Sequence, residues 1–242
     1  MSSSSIRRAV VLAAGRGTRM GGITADMPKA MLDVRGKPML EHVLDGLAEA
    51  GMREFFLVVG YRREMVEEYF GSWKLPIRFC VQEVLNGTGG ATRLARDFVV
   101  DQPFLLTFGD ILCEPPAPAY MHCAQVLLDH PAAMGVMAVR DVDDPWQGAA
   151  VYEVDGRVTG VIEKPPRGTS TTRWNSAGLY SLQPGAFDYL DRLTPSPRGE
   201  LELTSIFDMM LQENVEVRIS PIQGRWRDVG RPEDLEAVNA GS

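Results

Sequence analysis

Short apolar runs alternate with helical patterns through the first half of the chain. The run Ala9–Ala14 is continuously apolar, which is typical of a strand buried on both faces of a parallel sheet. Segment 38–51 begins with proline, ends with glycine and keeps its apolar side chains at helical spacing, so it predicts a helix. Further strands are predicted at 54–60, 77–82 and 103–110, and further helices at 62–71 and 89–98.

The second half keeps strand and helix signals but loses the strict alternation. Asp155-Gly156 lies between two β-rich runs and predicts a hairpin. The remaining patterns predict strands at 132–140, 176–182 and 215–222, and helices at 117–130, 184–193, 203–214 and 231–241. The chain therefore predicts a doubly wound α/β sheet that binds ligands at the carboxyl ends of its strands. We expect one domain, 1–242, with halves of approximately 6–115 and 116–242.

Composition excludes several classes of protein. The net charge of −7 argues against general binding to nucleic acid. No apolar run approaches the roughly 20 residues of a membrane span, and the start MSSSSIRR lacks the apolar core of a signal peptide. Cys80, Cys113 and Cys123 are scattered, which favours reduced thiols over disulfides or a zinc site. We expect a cytoplasmic protein without membrane or nucleic-acid partners.

The glycine-rich loop after the first strand resembles two common phosphate-binding motifs without matching either. Gly15 and Gly17 fit the dinucleotide fingerprint, but Met20 stands at the third glycine position and Pro28 interrupts the expected helix. A Walker A motif is absent from the sequence. Backbone N–H groups of such a loop could hold a polyphosphate, with charges from Arg19 and Lys29. The loop alone does not distinguish this site from an ordinary glycine turn.

Six motifs that follow one another along the chain favour a phosphate-binding loop over an ordinary glycine turn. LAAGRGTRM followed by MPKAMLDVRGKPMLEHVLDGL resembles the signature of the sugar-1-phosphate nucleotidyltransferases. That family's other motifs have counterparts in GTGGA at Gly87, FGD at Phe108, EKP at Glu163, NSAGLY at Asn175 and WRDVGRPED at Trp226. The resemblance implies a Rossmann-like three-layer sandwich with a mixed, mostly parallel central sheet. It also implies an enzyme that joins a nucleoside triphosphate to a sugar 1-phosphate and releases pyrophosphate.

The resemblance implies that the nucleoside triphosphate, the donor, binds to the glycine-rich loop and to residues at and after the end of the third predicted strand. Arg19 would stabilise the leaving pyrophosphate, and Lys29 would counter charge on the α-phosphoryl group. Gln82, Gly87 and Thr88 would contact the base. The residues that would surround the nucleotide and its triphosphate are Leu12, Ala13, Ala14, Gly15, Arg16, Gly17 and Thr18.

The metal and the acceptor complete the implied site. Asp110 and Asp228 would together hold one Mg²⁺, which suits a pair of carboxylates supplemented by phosphate oxygens and water. The residues implied at the sugar phosphate are Gly148, Glu163, Lys164, Asn175 and Gly178. Ser205 stands where the family usually has Asp, so we assign it no catalytic role.

The GTGG loop resembles those of uridylyl- and guanylyl-transferring members, so UTP or GTP is the favoured donor. The chain ends about ten residues after VGRPED, so we expect no appended acyltransferase domain. Homo-oligomers are common in the family, and the sequence does not identify an interface. A dinucleotide oxidoreductase would need the missing loop glycine and helix. A regulatory nucleotide-sugar-binding protein of the same fold is the remaining alternative, although such a protein would not need to keep all the charged residues.

Overall fold

The computed structural model describes residues 5–241, so the first four residues of the polar N-terminal segment lie outside the described residues. Thirteen strands and eight α-helices follow one another in this part of the chain. The strands are β1 (Arg8–Leu12), β2 (Asp33–Val34), β3 (Lys37–Pro38), β4 (Glu54–Val59), β5 (Ile77–Val81), β6 (Phe104–Phe108), β7 (Ile111–Glu114), β8 (Gly135–Asp141), β9 (Ala149–Val154), β10 (Arg157–Glu163), β11 (Trp174–Leu182), β12 (Val217–Pro221) and β13 (Arg225–Asp228). The helices are α1 (Met39–Glu49), α2 (Arg63–Phe70), α3 (Thr88–Arg93), α4 (Arg96–Val99), α5 (Pro116–Asp129), α6 (Ala186–Asp191), α7 (Ser205–Gln212) and α8 (Pro232–Asn239).

Nine of these strands form the central sheet, in the order β5-β4-β1-β6-β11-β8-β12-β10-β9. The first four are parallel, and Val10 of β1 pairs in register with Phe56 and Leu106. Within the described part of the chain, only β10 and β11 are antiparallel to the other seven strands of this sheet. The predicted mixed, mostly parallel sheet is therefore confirmed.

Helices cover both faces of the sheet, which gives the three layers. In β1, Ala9 and Val11 pack into one apolar cluster, whereas Val10 and Leu12 pack into the other. The first cluster includes side chains of α1, α2 and α5, and the second includes side chains of α3, α6 and α7. Because successive side chains of a strand point to opposite faces, an unbroken apolar run is what a sheet covered on both faces requires.

Some elements differ from the prediction. The helix predicted at 89–98 divides into α3 and α4, with Leu94 and Ala95 between them. The predicted hairpin forms, because β9 and β10 pair across Asp155-Gly156. The antiparallel ribbon of β7 and β13 was not predicted, and it places Asp228 opposite Ile111.

The helices and the cysteines can be compared with what the composition predicted. No helix within residues 5–241 is long and apolar enough to cross a membrane. All three cysteines are free thiols, as predicted, and Cys113 and Cys123 are buried.

Candidate active site

A cavity of about 280 Å³ opens at the carboxyl ends of β1, β5 and β6. This is where a doubly wound sheet binds its ligands. The cavity is lined by many of the residues that the resemblance assigns to the donor, and by one of the two implied metal ligands, Asp110; the donor residues are Leu12, Ala13, Ala14, Gly15, Lys29, Gln82, Gly87 and Thr88. Leu85 and Glu200 also line it, and no motif had singled them out.

Lys29 lies between the two carboxylates predicted to bind the metal. Its Nζ is 2.5 Å from Asp110 Oδ2 and 3.7 Å from Asp228 Oδ1. Lys29 is 8% exposed and lies in a single 3-10 turn, 29–31, after Pro28. The β7–β13 ribbon brings Asp228 to this point, because Asp228 pairs with Ile111, the residue after Asp110.

The two carboxylates are close enough to influence each other. Burial raises the pKa of the Asp228 carboxyl, and the negative charge of Asp110 raises it further. The charges of Lys29 and Arg19 act in the opposite direction. A site in which like charges are forced together is stabilised by a cation, and Lys29 supplies one such cation here.

Glycine in the phosphate loop allows Lys29 to approach. Gly17 has φ +67°, and a methyl group on it would lie 2.9 Å from Cβ of Lys29. The Thr24 hydroxyl donates to the carbonyl of Gly17 at 3.0 Å and holds the turn. The Arg19 guanidinium lies near Gly230, since a methyl group there would be 3.5 Å from Arg19 Cζ, and its charge acts on Asp228. The fold therefore brings two cations and two carboxylates from four segments together.

Three residues of the predicted loop lie apart from the cavity lining. Arg16, Gly17 and Thr18 do not line it in the described structure. The Arg16 guanidinium lies 5.2 Å from the centre of the Tyr61 ring, and the Tyr61 hydroxyl donates to the carbonyl of Ala25. Their contact with the triphosphate stays a prediction.

The loop predicted to read the base is attached to the second half of the chain. Gly87 has φ +106°, and a methyl group on it would meet the Leu201 carbonyl oxygen at 2.6 Å. The Leu203 N–H donates to the Thr88 hydroxyl at 3.0 Å. Gln82, which is 9% exposed, donates from Nε2 to the carbonyl of Gly87 at 3.2 Å. The small size of Gly87 is thus explained by packing against Leu201, and the base contact stays a prediction.

Several residues predicted at the sugar phosphate lie together near the ends of β9, β10 and β11. The Lys164 N–H donates to the carbonyl of Gly148 at 2.9 Å. The Asn175 amide is 4% exposed and donates to the carbonyls of Pro145 and Ala149 at 3.1 and 3.3 Å. Asn175 therefore holds the 145–149 loop in place.

Glu163 and Gly178 have structural contacts of their own. The Thr204 hydroxyl donates to Glu163 Oε2 at 2.8 Å, and Arg198 lies 3.5 Å from Oε1 of the same carboxylate. Gly178 was predicted to leave room for the sugar. A methyl group there would lie 2.3 Å from Ile111 Cδ1, so the space is filled by protein.

One cation near the site was missed by the sequence analysis. Arg140 at the end of β8 stacks on the ring of Trp226, with its guanidinium carbon 4.0 Å from the ring centre. No motif marks it, because the pattern around it is that of an ordinary strand. Its proximity to Asp228 depends on the β7–β13 ribbon, which the sequence did not reveal.

The family model described as nucleotidyl transferase matches residues 8–241. The chain belongs to this family. The resemblance drawn from the six motifs is therefore confirmed.

Two relatives illustrate how far the similarity extends. The chain is 34% identical over 240 residues to the UTP--glucose-1-phosphate uridylyltransferase AglF of Haloferax volcanii, covering 95% of this chain and 93% of that protein. It is 34% identical over 233 residues to the bifunctional protein GlmU of Methanococcus maripaludis, covering 96% of this chain and 53% of GlmU. The chain thus spans about half the length of the GlmU relatives it matches.

Solved structures share the fold. A UDP-glucose pyrophosphorylase complexed with UDP-glucose superposes with a TM-score of 0.88 at 22% identity, with 98% of each chain covered. A putative glucose-1-phosphate thymidylyltransferase from Bacillus anthracis gives a TM-score of 0.84 at 25% identity, covering 97% of this chain and 94% of that one. The three-layer architecture is therefore that of nucleotide-sugar enzymes.

Proposed function

We propose that the protein transfers a nucleotidyl group from a nucleoside triphosphate to a sugar 1-phosphate, with release of pyrophosphate and dependence on Mg²⁺. The observation that carries the proposal is the grouping of Lys29, Asp110 and Asp228, of which Lys29 and Asp110 line the first cavity. Membership of the nucleotidyl transferase family and the similarity to AglF support the same reaction.

The reaction joins two anions, so positioning and charge neutralisation are the main tasks of the site. The acceptor phosphate is already deprotonated at neutral pH, and no general base is required. Lys29 would neutralise charge that develops on the α-phosphoryl group, and Arg19 would receive the leaving pyrophosphate. Removing one such cation is expected to slow turnover by about 10²- to 10³-fold.

The carboxylates fit a magnesium ion that arrives with its substrate. Within residues 5–241, no group of three or more His, Cys, Asp or Glu side chains is arranged to hold a metal by itself. Two carboxylates supplemented by phosphate oxygens and water form the ligand set that Mg²⁺ commonly takes with nucleotides. When bound, the ion would neutralise phosphate charge and orient the two substrates. Asp110 and Asp228 would hold it, and their mutual repulsion favours a cation between them.

UTP and GTP are the proposed donors, on the strength of the GTGG loop and of the uridylyltransferase relative. Gln82 is compatible with this assignment, because its Nε2 donates to Asn86 Oδ1 and to the carbonyl of Gly87, which leaves its Oε1 to accept from an N–H on the edge of uracil or guanine. Glu163, Lys164 and Asn175 are the proposed contacts to the acceptor.

The test is pyrophosphate release from each of five nucleoside triphosphates with a panel of sugar 1-phosphates, with and without Mg²⁺. We expect Asp110→Asn and Asp228→Asn each to abolish Mg²⁺-dependent release while the protein stays folded by circular dichroism. Asp45→Asn is the matched control, because Asp45 also binds lysines but does not line the cavity.

Full turnover by either Asp110→Asn or Asp228→Asn would refute the shared-metal assignment. If no donor and acceptor pair reacts, the protein is instead a nucleotide-sugar-binding or regulatory member of the family. Binding of a nucleotide sugar, measured by calorimetry, would then support that second function.

A further inference from the structure

A second cavity, of about 340 Å³, lies beside the predicted sugar-phosphate residues. Asn175 lines it and also holds the 145–149 loop that forms one wall. Arg140 lines the same cavity and pairs with Asn175 across β8 and β11. Lys29 and Asp110 line the nucleotide cavity instead. The second cavity therefore adjoins the acceptor side of the site.

Arg140 is held rigidly on this wall. Its guanidinium carbon is 4.0 Å from the centre of the Trp226 ring, and the indole N–H of Trp226 donates to the carbonyl of Ala177 at 2.8 Å. A guanidinium stacked on a ring that is itself hydrogen-bonded has little freedom to turn away. The position of this cation is therefore determined before any ligand binds.

The charge of Arg140 has no ion-pair partner in the described part of the chain. Its buried Nε has no hydrogen-bond acceptor among residues 5–241. Burial lowers the pKa of the Arg140 guanidinium, and Asp228 opposes this effect without reaching salt-bridge distance. Burying a charge without a partner costs free energy, so a ligand that supplies an anion here would bind favourably.

The nearby carboxylates already have partners of their own. Asp143 lies 3.3 Å from Arg173, and Asp144 accepts a hydrogen bond from the Gly168 N–H at 2.8 Å. Neither carboxylate forms an ion pair with Arg140 among residues 5–241. The cation facing the cavity is thus open to an anion from solution.

The remaining lining has the chemistry of a sugar site that tolerates a negative charge. Arg167 lies 5.5 Å from the centre of the Trp146 ring, and Trp146 is 38% exposed. An exposed aromatic ring offers a flat face against which a sugar can pack. Gln147 adds a neutral amide that can pair with hydroxyl groups.

We propose that the preferred acceptor carries a second anionic group, distant from its 1-phosphate, and that Arg140 and Arg167 receive it in the second cavity. The inference rests on the proposed function, because it describes the acceptor of that reaction. The anion is either a carboxylate, as in a hexuronic acid, or a second phosphate, and both would pair with a planar guanidinium.

The experiment compares glucose 1-phosphate, glucuronic acid 1-phosphate and glucose 1,6-bisphosphate as acceptors, with UTP and GTP as donors. We expect kcat/KM for at least one of the two acidic acceptors to exceed that for glucose 1-phosphate by about tenfold or more. The acceptor with the higher value identifies the carboxylate or the phosphate as the anion.

Variants locate the recognition. Arg140→Gln is expected to lower kcat/KM for the preferred acidic acceptor about 10- to 100-fold more than for glucose 1-phosphate. Arg167 is exposed, so Arg167→Gln should keep the fold and shift selectivity in the same direction. Arg192→Gln is the control, because Arg192 also stacks on an aromatic ring, that of Tyr189, but does not line the cavity. Thermal denaturation checks that each variant is folded.

Two results would overturn the inference and leave the proposed function standing. The first is that glucose 1-phosphate reacts as well as both acidic acceptors. The second is that Arg140→Gln and Arg167→Gln reduce kcat/KM for neutral and acidic acceptors equally, which would place these arginines at the common 1-phosphate or in the fold. If no acceptor reacts with any donor, the proposed function falls together with the inference.

Discussion

Replacing Gly178 with alanine is expected to destabilise the protein by about 2–4 kcal/mol, the sum of two independent costs. Gly178 has φ +69°, a conformation that costs an alanine roughly 1 kcal/mol. Its new methyl group would lie 2.3 Å from Ile111 Cδ1 and 2.9 Å from Phe108 Cδ2, well inside contact distance. Overpacking of this kind costs about 1–3 kcal/mol.

Urea denaturation of Gly178→Ala, Ile111→Val and the double variant separates the two costs. Ile111→Val removes the atom that meets the new methyl group, and alone it should cost about 0.5–1.5 kcal/mol. In the double variant the clash with Ile111 is relieved while the contact with Phe108 remains, so we expect a favourable coupling of about 1 kcal/mol. The backbone cost remains. Gly22→Ala is the control, because a methyl group at Gly22 would have no neighbour within 4 Å among the described residues, 5–241. It should change stability by no more than about 0.5 kcal/mol.

The same substitution should reach the active site. Ile111 follows Asp110 and pairs with Asp228, so displacing Ile111 shifts the two carboxylates relative to each other. We expect Gly178→Ala to lower kcat and the double variant to recover part of the loss. Destabilisation below about 1 kcal/mol would refute the packing argument. Zero coupling with Ile111→Val would show that the methyl group finds another place.

Two further predictions concern groups outside the site. Burial disfavours ionised Asp45, but hydrogen bonds from Lys37 and Lys74 outweigh it and lower the pKa of Asp45. The stabilisation is therefore present above the ordinary carboxyl range and lost as the pH falls through the lowered pKa. Asp45→Asn should cost about 0.5–1 kcal/mol at pH 7 and nothing near pH 2 in thermal melts, and an equal cost at both would contradict the ion-pair explanation. Burial raises the pKa of the Cys113 thiol to about 12 and raises that of Cys123 further. Iodoacetamide should therefore label only Cys80 in the native protein, and mass spectrometry maps the labelled residue. Native labelling of Cys123 at the rate of Cys80 would show that α5 opens.

The strands of the sheet could be predicted because each carries its own signal. In β1, every residue from Ala9 to Leu12 is buried, since alternate side chains enter the two apolar clusters. An apolar run without polar interruptions is the direct consequence. The β7–β13 ribbon has no such signal. Its strands have four residues each and, in the part of the chain that the structure describes, pair only with each other, so their pairing depends on the folded chain around them.

The site was predictable in its members but not in its geometry. Family resemblance selected Lys29, Asp110 and Asp228, but their contact joins residues 81 positions apart in the case of Lys29 and Asp110. At Gly178 the sequence identified the residue but not the reason for it. A glycine in a motif indicates that space is needed, but only the structure shows that Ile111 occupies it. Arg140 was missed because its buried Nε has no hydrogen-bond acceptor among residues 5–241, and no sequence pattern indicates such an absence.

The β13 strand links the two halves of the proposed reaction. Trp226 and Asp228 are two residues apart, so their side chains point to the same face of the strand, about 7 Å from each other along it. Asp228 meets Lys29 at the proposed metal, and Trp226 supports Arg140 at the second cavity. An acceptor that places its 1-phosphate beside Asp228 would, on the proposal above, place its second anion at Arg140. Because one short strand sets both positions, the distance between the two anions of an acceptor would then contribute to its kcat/KM.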